Sequence, residues 1–137
     1  MNVIKQWFNQ EHNNITVNAK LISNPLFFHF FLSHYQANAG DSINLLAAEL
    51  KHFQVRCWTD KGDVEVNADG MKKGIKESKA YILFLSKDCL SRQFVILELR
   101  EAIELKKPII LLHETEMNRP SFATFEESMP RRFEIHF

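Results

Sequence analysis

The sequence carries no net charge, no long apolar run and little cysteine. Lysine and arginine number 17 and aspartate and glutamate number 17 in a chain of 137 residues, so no long-range field attracts nucleic acid or an anionic membrane. No apolar stretch approaches the ~20 residues that span a bilayer. The opening residues, MNVIKQWFNQEHNN, lack the apolar centre of a secretory signal. We therefore expect a cytoplasmic protein with neither nucleic acid nor membrane as a partner.

Cysteine pairs, metal-ligand spacings and phosphate-binding loops are also missing. Cys57 and Cys89 both lie in apolar stretches and neither belongs to a CxxC pair, so we expect two buried free thiols. Neither GxxxxGK[ST] nor GxGxxG occurs, and no histidine pair has the spacing of metal ligands. The sequence predicts no metal and no bound cofactor.

Strand-like apolar runs alternate with helical patterns along the chain. LFFHFFLS, from Leu26, and AYILFLS, from Ala80, are almost continuously apolar, as buried strands of parallel sheets are. Shorter strand candidates are VRCWTD, PIILLHE and the terminal FEIHF, and helices are predicted over 42–52, with Asp41 or Ser42 as N-cap, over 71–78 and over 90–106. About five strands at this spacing predict one flavodoxin-like α/β domain, a parallel sheet with helices on both faces.

Ligands of open parallel sheets bind beyond the carboxyl ends of the strands. The residues that follow the predicted strands are therefore the first site candidates: 33–35, 60–63, 86–88 and 113–114. The adjacent Ser33 and His34 indicate catalysis only weakly, because neighbours on a strand point to opposite faces of the sheet.

A carboxylate, Glu98, lies inside the apolar run SRQFVILELREA. At about 100° per residue, one side of the predicted helix is apolar and must face the sheet; it comprises Val95, Ile96, Leu99, Ala102 and Ile103. Glu98 falls on the flank of that side, with Phe94 and Glu101 as its neighbours. A carboxylate there can keep its charge while water is partly excluded, as functional acids do. Alternatively, Glu98 and Glu101 are solvated surface acids paired with basic residues.

Four segments, in order, resemble the boxes of a Toll/interleukin receptor homology (TIR) domain. Phe30-Phe31-Leu32-Ser33-His34 resembles the first box, and Cys57-Trp58-Thr59-Asp60, followed by a polar loop and Gly70, resembles the second strand and the BB loop. GIKESKAYILFLSKDCLSR resembles the segment before the third helix, and SRQFVILELREA resembles the Ser-x-x-Trp-Cys-x-x-Glu-Leu pattern. The resemblance implies a TIR domain over 26–137 that ends before the family's last helix, preceded by a flanking segment, 1–25.

The resemblance extends to TIR domains of the NAD-cleaving type, whose catalytic glutamate aligns with Glu98. It implies an NAD+ nucleosidase that breaks the nicotinamide–ribose bond of NAD(P)+ in defence or cell-death signalling, with ADP-ribose or a cyclic ADP-ribose as open alternatives. By the same resemblance, the substrate contacts are His34, Tyr35, Phe94, Asp60 and Gly70. Tyr35 stands where the family has arginine, and Phe94 stands where it has tryptophan.

The resemblance also implies self-association through the loop that holds Gly62, Asp63 and Val64. In the family this loop docks on a neighbouring TIR domain, and that assembly completes the active site. We therefore expect the isolated domain to be weakly active. A second function stays open, a non-enzymatic adaptor that recruits other TIR domains, as in Toll-like receptors, whose domains generally lack the glutamate.

Overall fold

The structure, a computed structural model, describes residues 27–59 and 68–128. Its strands are β1 (Phe28–Ser33), β2 (Cys57–Thr59), β3 (Ser78–Leu85) and β4 (Ile109–His113). Its helices are α1 (Gln36–His52), α2 (Ala68–Lys76), α3 (Gln93–Glu104) and the short α4 (Phe125–Ser128), with one 3-10 turn at Cys89–Ser91.

The four strands form one parallel sheet in the order β2-β1-β3-β4. This architecture confirms the predicted α/β fold; the predicted fifth strand, FEIHF, lies outside the described residues. From β1 the chain moves to one side to form β2 and then to the other side to form β3. The carboxyl ends of β1 and β3 therefore border the switch point at which open α/β sheets bind ligands.

Helices cover both faces of the sheet, and each face has its own apolar core. On one face, Ile43 and Leu46 of α1 pack with Phe30 and Leu32 of β1. On the other face, α2 and α3 pack over alternate residues of the same strands; that core includes Phe31, Met71, Ile75, Tyr81, Leu83, Val95, Leu99 and Ala102. Because β1 and β3 are covered on both faces, their sequences are apolar without alternation.

A close helix-to-strand contact brings α2 onto the second face. The ring of Trp58 in β2 lies against Gly74 of α2, where an added Cβ would come within 2.8 Å of the indole. The same ring stacks on Phe31, with centroids 4.4 Å apart. The absence of a side chain at Gly74 thus permits the approach that covers Phe31.

Helix α1 begins at Gln36 and not at Ser42, so the predicted start of this helix and its predicted N-cap at Asp41 or Ser42 are wrong. Tyr35 occupies the N-cap position without a side-chain cap bond. The extra turns are held by distant parts of the chain: Asn38 Nδ2 donates to the Lys87 carbonyl at 2.8 Å, and Ser86 Oγ donates to Asn38 Oδ1 at 2.7 Å. These tertiary bonds outweigh the weak helix propensity of a polar, glycine-containing segment.

Helix lengths, thiols and clusters of possible metal ligands can be stated for the described residues. Within 27–59 and 68–128, no helix has both the length and the apolarity needed to cross a bilayer. Both cysteines are free; Cys89 is buried and Cys57 half-buried. Burial raises the pKa of the Cys57 thiol to about 12, so this thiol is protonated at neutral pH. The same parts of the chain hold no cluster of three or more His, Cys, Asp or Glu residues suited to a metal.

Candidate active site

A cavity of about 250 Å³ lies at the carboxyl end of β1, between the β1–α1 connection and the first half of α3. Its walls come from Leu32, His34, Tyr35, Gln36, Arg92, Gln93, Phe94, Val95 and Glu98. The fold thus brings together four of the predicted site residues, His34, Tyr35, Phe94 and Glu98, at the switch point of the sheet.

Glu98 lies on the buried side of α3 and not on a hydrated flank. Only 8% of the residue is exposed, and Val95, Leu99 and Ala102 share its buried side. It is the only buried acid among the described residues. The surface-acid alternative is therefore wrong for Glu98. It fits Glu101 better, because that carboxylate lies 4.0 Å from the Lys72 ammonium of α2.

The Glu98 carboxylate accepts a hydrogen bond from the last residue of β1. Ser33 Oγ donates a hydrogen bond to Glu98 Oε2, and both residues are buried. Sequence reasoning missed this partner because it considered the pair Ser33–His34. The informative signal was the alternation along the strand, since Ser33 shares a face with Phe31, and that face is covered by α3.

A tyrosine hydroxyl lies beside this pair. Tyr81 of β3 is fully buried and stacks on Phe31 with centroids 5.7 Å apart. Its hydroxyl lies near Ser33 but makes no well-aligned hydrogen bond within the described ranges. Burial raises the pKa of Tyr81 well above its ordinary value, the charge of Glu98 raises it further, and the nearby Ser33 lowers it slightly. Tyr81 is therefore a neutral O–H group at any physiological pH.

His34 presents an unused acceptor in the cavity wall. Its Nε2–H donates to Gln36 Oε1 at 2.6 Å. In the neutral ring the other nitrogen, Nδ1, then carries the lone pair. This atom is buried and has no partner in the parts of the chain that the structure describes. It can accept a hydrogen bond from a ligand hydroxyl or amide.

Arg92 supplies the only cation among the lining residues other than histidine. Its guanidinium carbon lies 4.1 Å from the centroid of the Tyr35 ring, a favourable cation–π distance. The TIR resemblance led us to expect an arginine at the position of Tyr35; the guanidinium that lines the cavity comes instead from Arg92, at the start of α3. Sequence reasoning missed Arg92 because the helix was predicted to begin at Leu90, whereas Arg92 is the N-cap of α3.

The remaining predicted contacts lie at the rim of the cavity, away from the cavity, or outside the described residues. Phe94 lies at the rim and is 65% exposed. Gly70 lies exposed in the first turn of α2 and is not among the lining residues. Asp60 and the predicted self-association residues, Gly62, Asp63 and Val64, fall outside the described ranges.

A larger cleft, of about 330 Å³, lies between α1 and the end of β4, away from this group. Its single arginine, Arg119, is 2.8 Å from Glu116 and 3.9 Å from Glu114. Arg119 compensates the charge of only one of these two carboxylates, and ion pairs near the surface contribute little to stability. The smaller cavity, with its buried acid, is the candidate active site.

The comparisons with known proteins agree with this architecture. No curated protein sequence matches the chain significantly. Among solved structures, the TIR domain of the Toll-related receptor TRR-2 from Hydra magnipapillata is similar, with a TM-score of 0.53 and 19% identity, over 72% of this chain and 77% of that one. At this identity the similarity concerns the fold alone. A family model described as the TIR domain matches residues 30–131, which is most of the sequence, and the chain therefore belongs to the TIR domain family.

Proposed function

We propose that this TIR domain is an NAD+ nucleosidase that cleaves the nicotinamide–ribose bond of NAD(P)+. The observation that carries the proposal is the burial of the Glu98 carboxylate in the wall of a cavity at the switch point. Burying a carboxylate opposes folding unless hydrogen bonds compensate. An acid kept in such a position beside a cavity is typical of a functional site.

The chemistry of NAD+ matches a single buried acid. Nicotinamide leaves as a neutral molecule, and the ribose carbon that it leaves becomes cationic, as in glycoside cleavage. A carboxylate in a site from which water is partly excluded stabilises that developing charge strongly. A second, proton-donating acid is unnecessary, because the pyridinium charge already activates the leaving group.

The other lining residues have roles that suit the parts of a dinucleotide. Phe94 offers an aromatic surface to the nicotinamide ring. His34 Nδ1 accepts a hydrogen bond from a ribose hydroxyl or the carboxamide. The Arg92 guanidinium binds the diphosphate, for which its paired N–H groups are well shaped.

Incubation with NAD+ or NADP+ over a series of protein concentrations tests the proposal. We expect free nicotinamide, measured by chromatography, at a specific rate that rises with protein concentration, because self-association completes TIR active sites. A specific rate that is independent of concentration contradicts the role of assembly. No nicotinamide at any concentration contradicts the enzymatic function itself.

The alternative function, an adaptor that works only through TIR–TIR contacts, is favoured by one observation. Phe94 and Leu97, on neighbouring turns of α3, expose 65% and 41% of their surfaces, and exposed apolar groups of this kind occur at docking surfaces. Light scattering over the same concentration series separates the functions. An adaptor associates without releasing nicotinamide.

Replacing Arg92 with glutamine is expected to raise the KM for NAD+ about tenfold and to change kcat less than about threefold, because a charge-assisted bond to a phosphate contributes mainly to binding. Initial rates over a range of NAD+ concentrations measure both constants. Arg100→Gln is the matched control, since Arg100 is exposed on the same helix and does not line the cavity. If both variants raise KM equally, the effect is one of net charge and Arg92 has no specific contact.

A further inference from the structure

The serine that ends β1 donates a hydrogen bond to a carboxylate 65 residues later in the chain. We propose that Ser33 is a positioning residue for catalysis, which holds the Glu98 carboxylate in one orientation and favours its charged form. The inference rests on the proposed function, because it concerns the acid that the proposed reaction uses.

Both ends of this bond are carried by rigid elements. Ser33 is paired with Leu83 across the parallel ladder between β1 and β3. Glu98 is flanked on α3 by Val95, Leu99 and Ala102, which pack against that face of the sheet. Because both residues are buried, their side chains have little room to reorient except toward the cavity that Glu98 lines. A site built on such elements keeps its geometry more accurately than one built on loops.

A hydroxyl that donates to a carboxylate stabilises the ionised form, and the low dielectric of the interior strengthens the effect. Without the hydroxyl, the carboxylate loses this compensation for its burial. Its pKa should rise, and its side chain should sample more than one orientation. Both changes would reduce the fraction of molecules in which a charged acid faces the ribose.

The other charged and titratable groups near Glu98 come from several elements. Tyr81 approaches from β3, His34 and Arg92 from the cavity walls, and Lys72 of α2 faces Glu101 on the next turn of α3. Of these, Tyr81 is a neutral O–H group because burial raises its pKa, so it adds no positive charge beside Glu98, and Lys72 lies 4.0 Å from the Glu101 carboxylate. Removal of the Ser33 hydroxyl should therefore be detectable at Glu98.

A purely structural serine is the competing explanation, and the chain contains a suitable control for it. Ser78, at the amino end of β3, is buried like Ser33, and its Oγ donates to the Gly74 carbonyl at 2.7 Å. It lies at the opposite end of the sheet from the cavity, paired with Phe28. Ser78→Ala removes a buried serine hydrogen bond without touching Glu98.

The experiment compares Ser33→Ala, Ser33→Thr and Ser78→Ala in the whole chain. Two quantities are measured: steady-state cleavage of NAD+, and the titration of the Glu98 carboxyl carbon by ¹³C NMR, assigned by its loss in Glu98→Gln. For Ser33→Ala we expect kcat to fall about tenfold or more, KM to change less than about threefold, and the Glu98 pKa to rise by about one unit. Ser33→Thr retains the hydroxyl and should restore both quantities at least in part.

Each outcome decides one point. A Ser33→Ala protein with wild-type kcat and unchanged Glu98 titration overturns the inference, as does an equal loss of kcat in Ser78→Ala. If the wild type releases no nicotinamide, the proposed function fails. The titration then decides by itself whether Ser33 governs the charge of Glu98. Thermal unfolding of each variant verifies that folded proteins are compared.

Discussion

Glu98→Gln is expected to lower nicotinamide release from NAD+ at least about 100-fold, because loss of one preorganised electrostatic group commonly costs a factor of 10² to 10³. Glutamine has the shape of glutamate, and its amide oxygen can still accept the hydrogen bond from Ser33 Oγ. What disappears is the negative charge beside the ribose carbon. Chromatography of the products under saturating NAD+ measures the change as a loss of kcat.

The matched control is Glu101→Gln, which makes the same change one helical turn further along α3, at a residue that does not line the cavity. Glu101 lies on α3, is not among the lining residues, and faces Lys72 at 4.0 Å. Removal of the Glu101 charge should leave kcat within about twofold of the wild-type value, since partly exposed ion pairs of this kind contribute little. Equal activity of Glu98→Gln and the wild type would remove Glu98 from catalysis and favour the adaptor function.

The Glu98→Gln substitution should not destabilise the protein. A neutral amide costs less to bury than a carboxylate, so we expect the melting temperature of Glu98→Gln to equal or exceed that of the wild type. A loss of activity together with a gain in stability would separate a catalytic acid from a structural one. Residues kept for function at the expense of stability commonly show this combination.

The parts of the fold that sequence predicted well are those determined by local pattern. β1 and β3 are covered on both faces, so their composition alone identifies them. The start of α1 could not be predicted in this way. Its first turns look polar, and they are helical because Asn38 bonds to Ser86 and Lys87, which belong to a distant connection. Such contacts exist only once the sheet has formed.

In the candidate site, too, local pattern predicted some residues, whereas others depend on contacts between distant parts of the chain. Helical periodicity located Glu98 near the sheet-facing side of α3, and the TIR resemblance selected it among the chain's acids. Its buried hydrogen-bond donor, Ser33, comes from a different element, and no local pattern joins the two residues. Arg92 was missed for a similar reason, since its contact with Tyr35 depends on where the 3-10 turn ends and α3 begins.

The second large effect concerns the aromatic stack beneath the site. Phe31 is fully buried, with the Trp58 ring 4.4 Å away at 9° and the Tyr81 ring 5.7 Å away at 15°. It thereby joins β2, β1 and β3 on the face that α2 and α3 cover. It also lies two positions before Ser33 on the same face of β1, so its packing supports the strand end that holds Glu98.

Phe31→Ala is expected to reduce the free energy of unfolding by about 3–5 kcal/mol, the usual cost of emptying an aromatic position in a core. Because domains of this size are stable by only about 5–15 kcal/mol, urea unfolding should begin at a clearly lower concentration. Phe53→Ala is the control: Phe53 follows α1 and is 58% exposed, so the same truncation should cost less than about 0.5 kcal/mol. If the two variants unfold at the same urea concentration, the aromatic stack does not stabilise the second face of the sheet.

A folded Phe31→Ala protein should also lose part of its kcat, because the cavity left at Phe31 loosens the strand end from which Ser33 reaches Glu98.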